Sequence, residues 1–243
     1  MKIEGRNPVR EILKSNSTVE KITIENGSRD AVINEIINLA REKGAKIEYA
    51  NKNVLDKMSE TGHHQGVIAQ YSDFKYSELK DVIKKAQNNG EEMFFLVLDE
   101  ISDPHNLGSV IRVAECAGVT AVIIPSRRSA TVNETVVRTS AGATAYVPVC
   151  KVTNINQAIE ILKNENVWVY ALDMDGDDIY KSNLSGNIAL VVGNEGDGVR
   201  ELTRKLCDGV LSIPMFGKVN SLNASVSAGI ATYEVVRQRN LKK

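Results

Sequence analysis

The 243-residue chain predicts an α/β protein with a mainly parallel sheet, preceded by a small αβ domain. Three observations carry this reading. Apolar runs at 94–98 (FFLVL) and 188–192 (IALVV) have the length and the β-branched or aromatic content of buried parallel strands. From Met93 onward such runs alternate with helical patterns, as strand–helix–strand units do. Loops rich in Gly, Asn and charge follow both runs, and ligands in open α/β sheets bind beyond the carboxyl ends of the strands.

Residues 1–71 read as one domain with an apolar pattern of its own. Asn7-Pro8 predicts an N-cap followed by proline at the first helical position, opening a short helix through Leu13. Residues 19–24 (VEKITI) predict a strand. A helix over 30–43 places Val32, Ile33, Ile36, Ile37 and Ala40 on one face and stops at Gly44. Further strands are expected at 46–49 and 66–71. Residues 72–91 form the expected linker, with a short helix from Ser77 that ends at Asn88-Asn-Gly90. The second domain spans 92–243. Its strands fall at 94–98, 119–124, 167–172, 188–192 and 210–213. Its helices cover 106–117 and 154–163, with a short one after Val199 and a last one near the C-terminus. In that last helix Val226, Ile230, Tyr233 and Val236, spaced by three and four, are the expected packing face.

Composition narrows the function. With 42% hydrophobic and 25% charged residues the chain has the make-up of an ordinary soluble domain. No apolar run approaches the roughly 20 residues of a membrane span. The start Met1-Lys-Ile-Glu-Gly-Arg lacks a signal peptide's apolar core, so a cytoplasmic location is expected. Cys116, Cys150 and Cys207 are scattered, with no C-x-x-C pair of the kind zinc sites use. His63-His64 reads as polar surface or turn. A net charge of −1 argues against non-specific nucleic-acid binding but leaves room for a local basic surface. Arg6, Arg10, Arg112, Arg127, Arg128, Arg138 and Lys218 are its candidates. The glycines of 193–198 do not form G-x-G-x-x-G, and no P-loop pattern occurs, which excludes the usual nucleotide fingerprints.

Three segments concentrate chemistry. The first, 99–112, contains Asn106, Gly108 and Arg112 after the strand at 94–98. The second is Gly193-Asn-Glu-Gly-Asp-Gly198, whose glycines permit a tight turn or close backbone approach to a ligand. The third, 220–230, puts Ser221, Asn223 and Ser225 where a loop becomes a helix. Such residues cap helices, and are equally available for chemistry.

Together these segments resemble the motifs of the SpoU (TrmH) family of RNA 2′-O-ribose methyltransferases, in the SPOUT superfamily. Asn106, Gly108 and Arg112 reproduce N-x-G-x-x-x-R, and Gly193-Asn-Glu-Gly196 occupies the place of G-x-E-G. Ile213-Pro-Met215 and Ser221-Leu-Asn-Ala-Ser225 match I-P-M and S-L-N-x-S. The region covers roughly 92–240. Gly5-Arg-Asn-Pro-Val-Arg10 and His63-His-Gln-Gly-Val-Ile-Ala69 are similar to the substrate-binding domain of bacterial 23S rRNA guanosine 2′-O-methyltransferases.

The resemblance implies a parallel-sheet catalytic domain with a C-terminal trefoil knot, whereas knots are otherwise nearly absent from proteins. It also implies a homodimer whose active site is completed across the interface. The reaction would move the methyl group of S-adenosyl-L-methionine to a ribose 2′-hydroxyl, without metal. Alignment can be worth up to about 7–11 kcal/mol and a positioned base ~10²–10⁴-fold. By similarity, backbone at Gly193, Ile213 and Leu222 holds the cofactor, while Asn106, Arg112, Glu195, Ser221 and Asn223 match catalytic and RNA-site positions. Because a guanidinium keeps its proton to above about pH 12, Arg112 suits a bidentate clamp on the target phosphate better than a base. Glu195 is the other candidate for proton handling, or else an N-terminal helix cap. A guanosine of 23S rRNA is the expected target. Two alternatives stand beside it: another rRNA or tRNA nucleotide, and a ribosome-assembly RNA-binding factor without catalysis, against which the intact residue set speaks.

Overall fold

The computed structural model describes residues 2–15, 17–72, 74–194, 196, 198–219 and 221–241. They form two compact units, Met1–Lys75 and Tyr76–Lys243.

The first unit runs β1 (Lys2–Glu4), α1 (Arg6–Lys14), β2 (Thr18–Glu25), α2 (Ala31–Glu42), β3 (Lys46–Ala50), α3 (Lys52–Met58) and β4 (Val67–Ser72). Its sheet has the order β1-β4-β2-β3, with β2 and β3 parallel and the other pairs antiparallel. Val9 and Leu13 of α1, and Ile33, Ile36 and Ala40 of α2, close a core over Ile22, Ile24, Val67 and Ala69. The first helix starts earlier than Asn7-Pro8 suggests. Gly5, at φ 90°, stands at its N-cap, so Pro8 falls within the first turn, where the missing N–H costs no hydrogen bond. Asp30 caps α2, accepting from the N–H groups of Val32 and Ile33.

The expected basic residues of this unit are engaged. Arg6 pairs with Asp30 at 2.8 Å, and Arg10 lies 3.7 Å from Glu35. His64 is buried and structural: its Nδ1 accepts from Gly66 N–H at 3.0 Å, which leaves the Nε2 proton for Asp56 at 2.8 Å. Glu4 ties down the turn before β4 by accepting from Ser59 Oγ and from the N–H groups of Glu60 and Thr61. Those bonds, Ser59 foremost, hold its carboxyl below the usual range.

In the second unit come α4 (Leu79–Asn88), β5 (Phe94–Asp99), α5 (Pro104–Cys116), β6 (Ala121–Pro125), α6 (Glu134–Thr139), β7 (Val149–Val152), α7 (Ile155–Asn164), β8 (Trp168–Asp178), β9 (Ile188–Gly193), α8 (Glu201–Leu206), β10 (Gly209–Ser212) and α9 (Ala224–Asn240). All pairs in the sheet β10-β8-β9-β5-β6-β7 are parallel. Every residue of β5, β6 and β9 is buried, the reason those strands read as unbroken apolar runs. Much of the expected linker 72–91 is helix α4, whose Leu79, Ile83 and Ala86 pack into this unit's core. Strand β8 continues past Leu172 to pair with β10. A Cβ at Gly176 would stand 2.6 Å from the backbone of Val210 and Leu211, so only glycine fits there.

Helix α9 buries a different face from the expected one. Ala224, Ala228, Ala231, Thr232 and Val235 are buried, whereas Val226 and Tyr233 are 47% and 50% exposed. Small residues let the helix lie close: a Cβ at Gly229 would meet Val113 of α5 at 3.8 Å. The far end of α9 is pinned by polar groups. Arg239 donates to the carbonyls of Gly186 at 2.7 Å and Met93 at 2.9 Å, and Gln238 bridges Ser182 and Leu184. Buried Glu234 accepts from both Arg237 and Gln238.

Candidate active site

The carboxyl ends of β8, β9 and β10 open on one pocket of about 490 Å³, a size suited to a small organic ligand. Its walls come from three stretches: Leu172–Met174 of β8, where the pairing with β9 ends, Val192 and the loop after it, and the segment from Leu211 to Ser227. Gly193, Ile213 and Leu222, the three expected cofactor residues, all line it, and so does Ser221.

Backbone crossing explains the glycines. A Cβ at Gly193 would stand 2.0 Å from the carbonyl of Gly198 and 2.2 Å from the nitrogen of Val199. Chain therefore passes directly over the end of β9, and no side chain fits between. Asn194 and Gly198 form an antiparallel bridge, and Asn194 Oδ1 accepts the N–H of Gly196 at 2.9 Å. Beyond the loop, Arg200 returns to β5. Its Nε and Nη2 reach the fully buried Asp99 at 2.9 and 2.6 Å, and its backbone N–H adds a third bond at 3.2 Å. Asp99 raises the guanidinium above its ordinary range. Because Asp99 also pairs with Gly193 in the sheet, one carboxylate fastens the far end of the loop next to its start.

The third segment meets the first across 117 residues of sequence: Asn223 Nδ2 donates to Asn106 Oδ1 at 3.0 Å. Asn223 is also the N-cap of α9, its Oδ1 accepting from the N–H groups of Ser225 and Val226 and from Ser225 Oγ. Capping and the bond to Asn106 thus coexist in one residue, since cap and partner use opposite ends of the amide. Asn106 is buried in the first turn of α5, behind the Asp103 cap and Pro104. At Gly108 a Cβ would meet Thr139 at 2.7 Å, so glycine lets α5 and α6 touch.

Arg112 stands six residues beyond Asn106 on α5, about 9 Å along the axis. It is exposed and has no ion-pair partner among the described residues. His105, exposed at the start of the same helix, lies 3.4 Å from Thr139 Oγ1. Glu195, expected to handle a proton or cap a helix, lies outside the described residues, as does Asn220. Sequence reasoning missed Asp173, Met174 and Asn194 on the pocket wall and the Asp99–Arg200 clamp. The position of Asp173 was readable, because it directly follows a predicted parallel strand; the clamp joins residues 101 apart and left no local signal.

Residues 93–233 match the SpoU rRNA Methylase family, and residues 2–77 match the RNA 2′-O ribose methyltransferase substrate binding domain. The chain is 42% identical to the 23S rRNA (guanosine-2′-O-)-methyltransferase RlmB of Xanthomonas campestris pv. campestris, over 98% of this chain and 96% of that one. To the Escherichia coli K12 protein of the same name it is 38% identical, over 98% of each. Its fold is similar to that of the SpoU methyltransferase AviRb from Streptomyces viridochromogenes, solved in complex with the cofactor AdoMet. There the TM-score is 0.64 and the identity 22%, over 99% of this chain and 91% of that one.

Proposed function

The chain belongs to the SpoU rRNA methylase family and is an RNA 2′-O-ribose methyltransferase, a premise from which we propose that its substrate is a guanosine of 23S rRNA and its methyl donor S-adenosylmethionine. One observation carries this reading. Residues from three distant segments meet at one end of the sheet: Gly193, Ile213, Ser221 and Leu222 around one pocket, with Asn223 bonded to Asn106 beside it. The pocket fits the donor in kind. Its apolar wall of Leu172, Val192, Leu211, Ile213 and Leu222 suits an adenine, and bare backbone at Gly193 offers donors and acceptors without a side chain in the way.

When bound, S-adenosylmethionine supplies a methyl group already activated by its sulfonium, so the protein's work is alignment and removal of the hydroxyl proton. Gly193, Ile213 and Leu222 hold the donor. Arg112, exposed and without an ion-pair partner among the described residues, clamps the phosphate next to the target ribose. Asn106 and Asn223 fix one another and, with Ser221, orient the 2′-hydroxyl. Glu195 takes part in moving its proton. Residues 1–71 select the RNA, and the C-terminal segment is threaded as the family's trefoil knot.

The enzyme works in the cytoplasm as a homodimer. What supports the dimer is the unburied apolar surface of Phe216, Val219, Val226 and Tyr233, which are 97%, 74%, 47% and 50% exposed. Labelled-methyl transfer to total rRNA and tRNA, followed by mapping of ribose-methylated positions, tests the function. Label at a 23S guanosine is expected. Label confined to tRNA overturns the substrate, and no label in any RNA overturns the activity.

A further inference from the structure

Among the described residues that line the pocket, Asp173 is the single charged side chain. It follows Leu172, the last residue of β8 paired with β9, at the carboxyl end of the sheet. Its side chain is only 20% exposed. Oδ1 accepts the N–H of Met174 at 2.7 Å, and Oδ2 lies 3.5 Å from Nη1 of Arg204, at the limit of a hydrogen bond. Arg204 is held more closely by Asp175, at 2.7 Å. The three side chains together carry a net negative charge. A Cβ on Gly198 would stand 3.7 Å from Oδ2, so the carboxylate lies against the backbone of the loop that forms the opposite wall. A carboxylate offers about four lone-pair positions, and these two contacts leave Asp173 with acceptor capacity toward the pocket.

We propose that Asp173 recognises the methyl donor by accepting hydrogen bonds from it, either from the ammonium of its methionine part or from the hydroxyls of its ribose. This rests on the reading of the pocket as the donor's site. S-adenosylmethionine is a net cation, and a cation entering a pocket whose other described lining residues are neutral loses hydration that only an opposite charge or a good acceptor restores. Asp173 supplies both. Arg204 is bound closely to Asp175, at 2.7 Å, and reaches Asp173 only at 3.5 Å, so it does not use up the Asp173 carboxylate.

The test is calorimetric titration of the full chain with S-adenosylmethionine, S-adenosylhomocysteine and methylthioadenosine, which keeps the ribose but lacks the ammonium. Asp173→Asn removes the charge at nearly constant shape, and Asp173→Ala removes the acceptor as well. Each is expected to weaken S-adenosylmethionine about tenfold or more, the scale of a bond to a charged group. Methylthioadenosine weakened equally assigns the contact to the ribose; methylthioadenosine unaffected assigns it to the ammonium. Asp175→Asn, which loosens Arg204 without touching the pocket, should bind all three nearly as the parent does. If it weakens them as much as Asp173→Asn, Asp173 acts only through local structure and the proposal fails. Tight binding by both Asp173 variants overturns the proposal and leaves the donor site standing. No binding by the parent chain overturns both.

Discussion

Replacing Gly193 by alanine tests the crossing at the end of β9. The added Cβ would sit 2.0 Å from Gly198 backbone, against an ordinary contact limit near 3.4 Å, so the crossing segment must retreat by about 1.4 Å. No rotamer relieves this, because the obstructing atoms are main chain. Overpacking of this kind costs about 1–3 kcal/mol. In a unit of this size that lowers Tm by roughly 2–12 °C. The effect on binding is larger in proportion, because the retreating backbone is itself a wall of the pocket, and a displacement of about 1 Å can cost ~100-fold in a positioned reaction. Calorimetry with S-adenosylmethionine and single-turnover methyl transfer should both fall by at least about tenfold. Gly217→Ala is the control: it is not on the pocket wall, nothing among the described residues lies within 4 Å of its Cβ, and it should bind and react nearly as the parent. A Gly193→Ala chain with unchanged Tm and affinity, or one no worse than Gly217→Ala, would show that the close crossing does not shape the pocket.

Other expectations follow from single groups. Arg112→Ala should leave donor binding intact and cut methyl transfer by at least ~100-fold, while the salt slope of RNA binding drops by about one unit; unchanged transfer removes Arg112 from the mechanism. Burial pushes the thiols of Cys150 and Cys207 up to about 12, so at pH 8 a thiol reagent should find one reactive cysteine, the exposed Cys116, and three only in denaturant. Rapid reaction of two in the native chain contradicts the burial. The Arg237 guanidinium, with Gln238, holds the Glu234 carboxyl below its usual range. A depressed carboxylate stabilises the fold above its unfolded value, near about 4.3, and that contribution disappears as pH falls through the lower folded value. The Tm difference between the parent and Glu234→Gln should therefore be full at pH 7 and shrink below about pH 4; a difference constant with pH means the charge at Glu234 contributes nothing.

The sequence made the central strands plain, because β5 and β9 are buried on both faces and only an unbroken apolar run survives there. Helix α9 was misread for the opposite reason. Its large side chains, Val226 and Tyr233, point away from the fold, while alanines and Thr232 make the intramolecular contact. Periodicity finds an apolar stripe without saying what covers it. The elements that escaped notice are β1, α3, α6 and β7, of three to seven residues each, too short for a period to repeat. At the site, residue types marked Asn106 and Asn223, but their bond is a product of tertiary structure. Nothing local in the sequence pairs Asp99 with Arg200 either.

Every described residue that lines the pocket falls between Leu172 and Ser227. The helix that fixes the last of them is fastened at its far end, where Arg239 reaches Gly186 and Met93. A growing chain therefore completes the unit we assign to RNA selection and most of its sheet well before the wall of the proposed donor pocket is whole. On the proposed reading, an early stop that removes α9 takes Ala224 and Ser227 from the wall of the donor pocket, so the order of synthesis keeps competence for transfer until the final turns have docked.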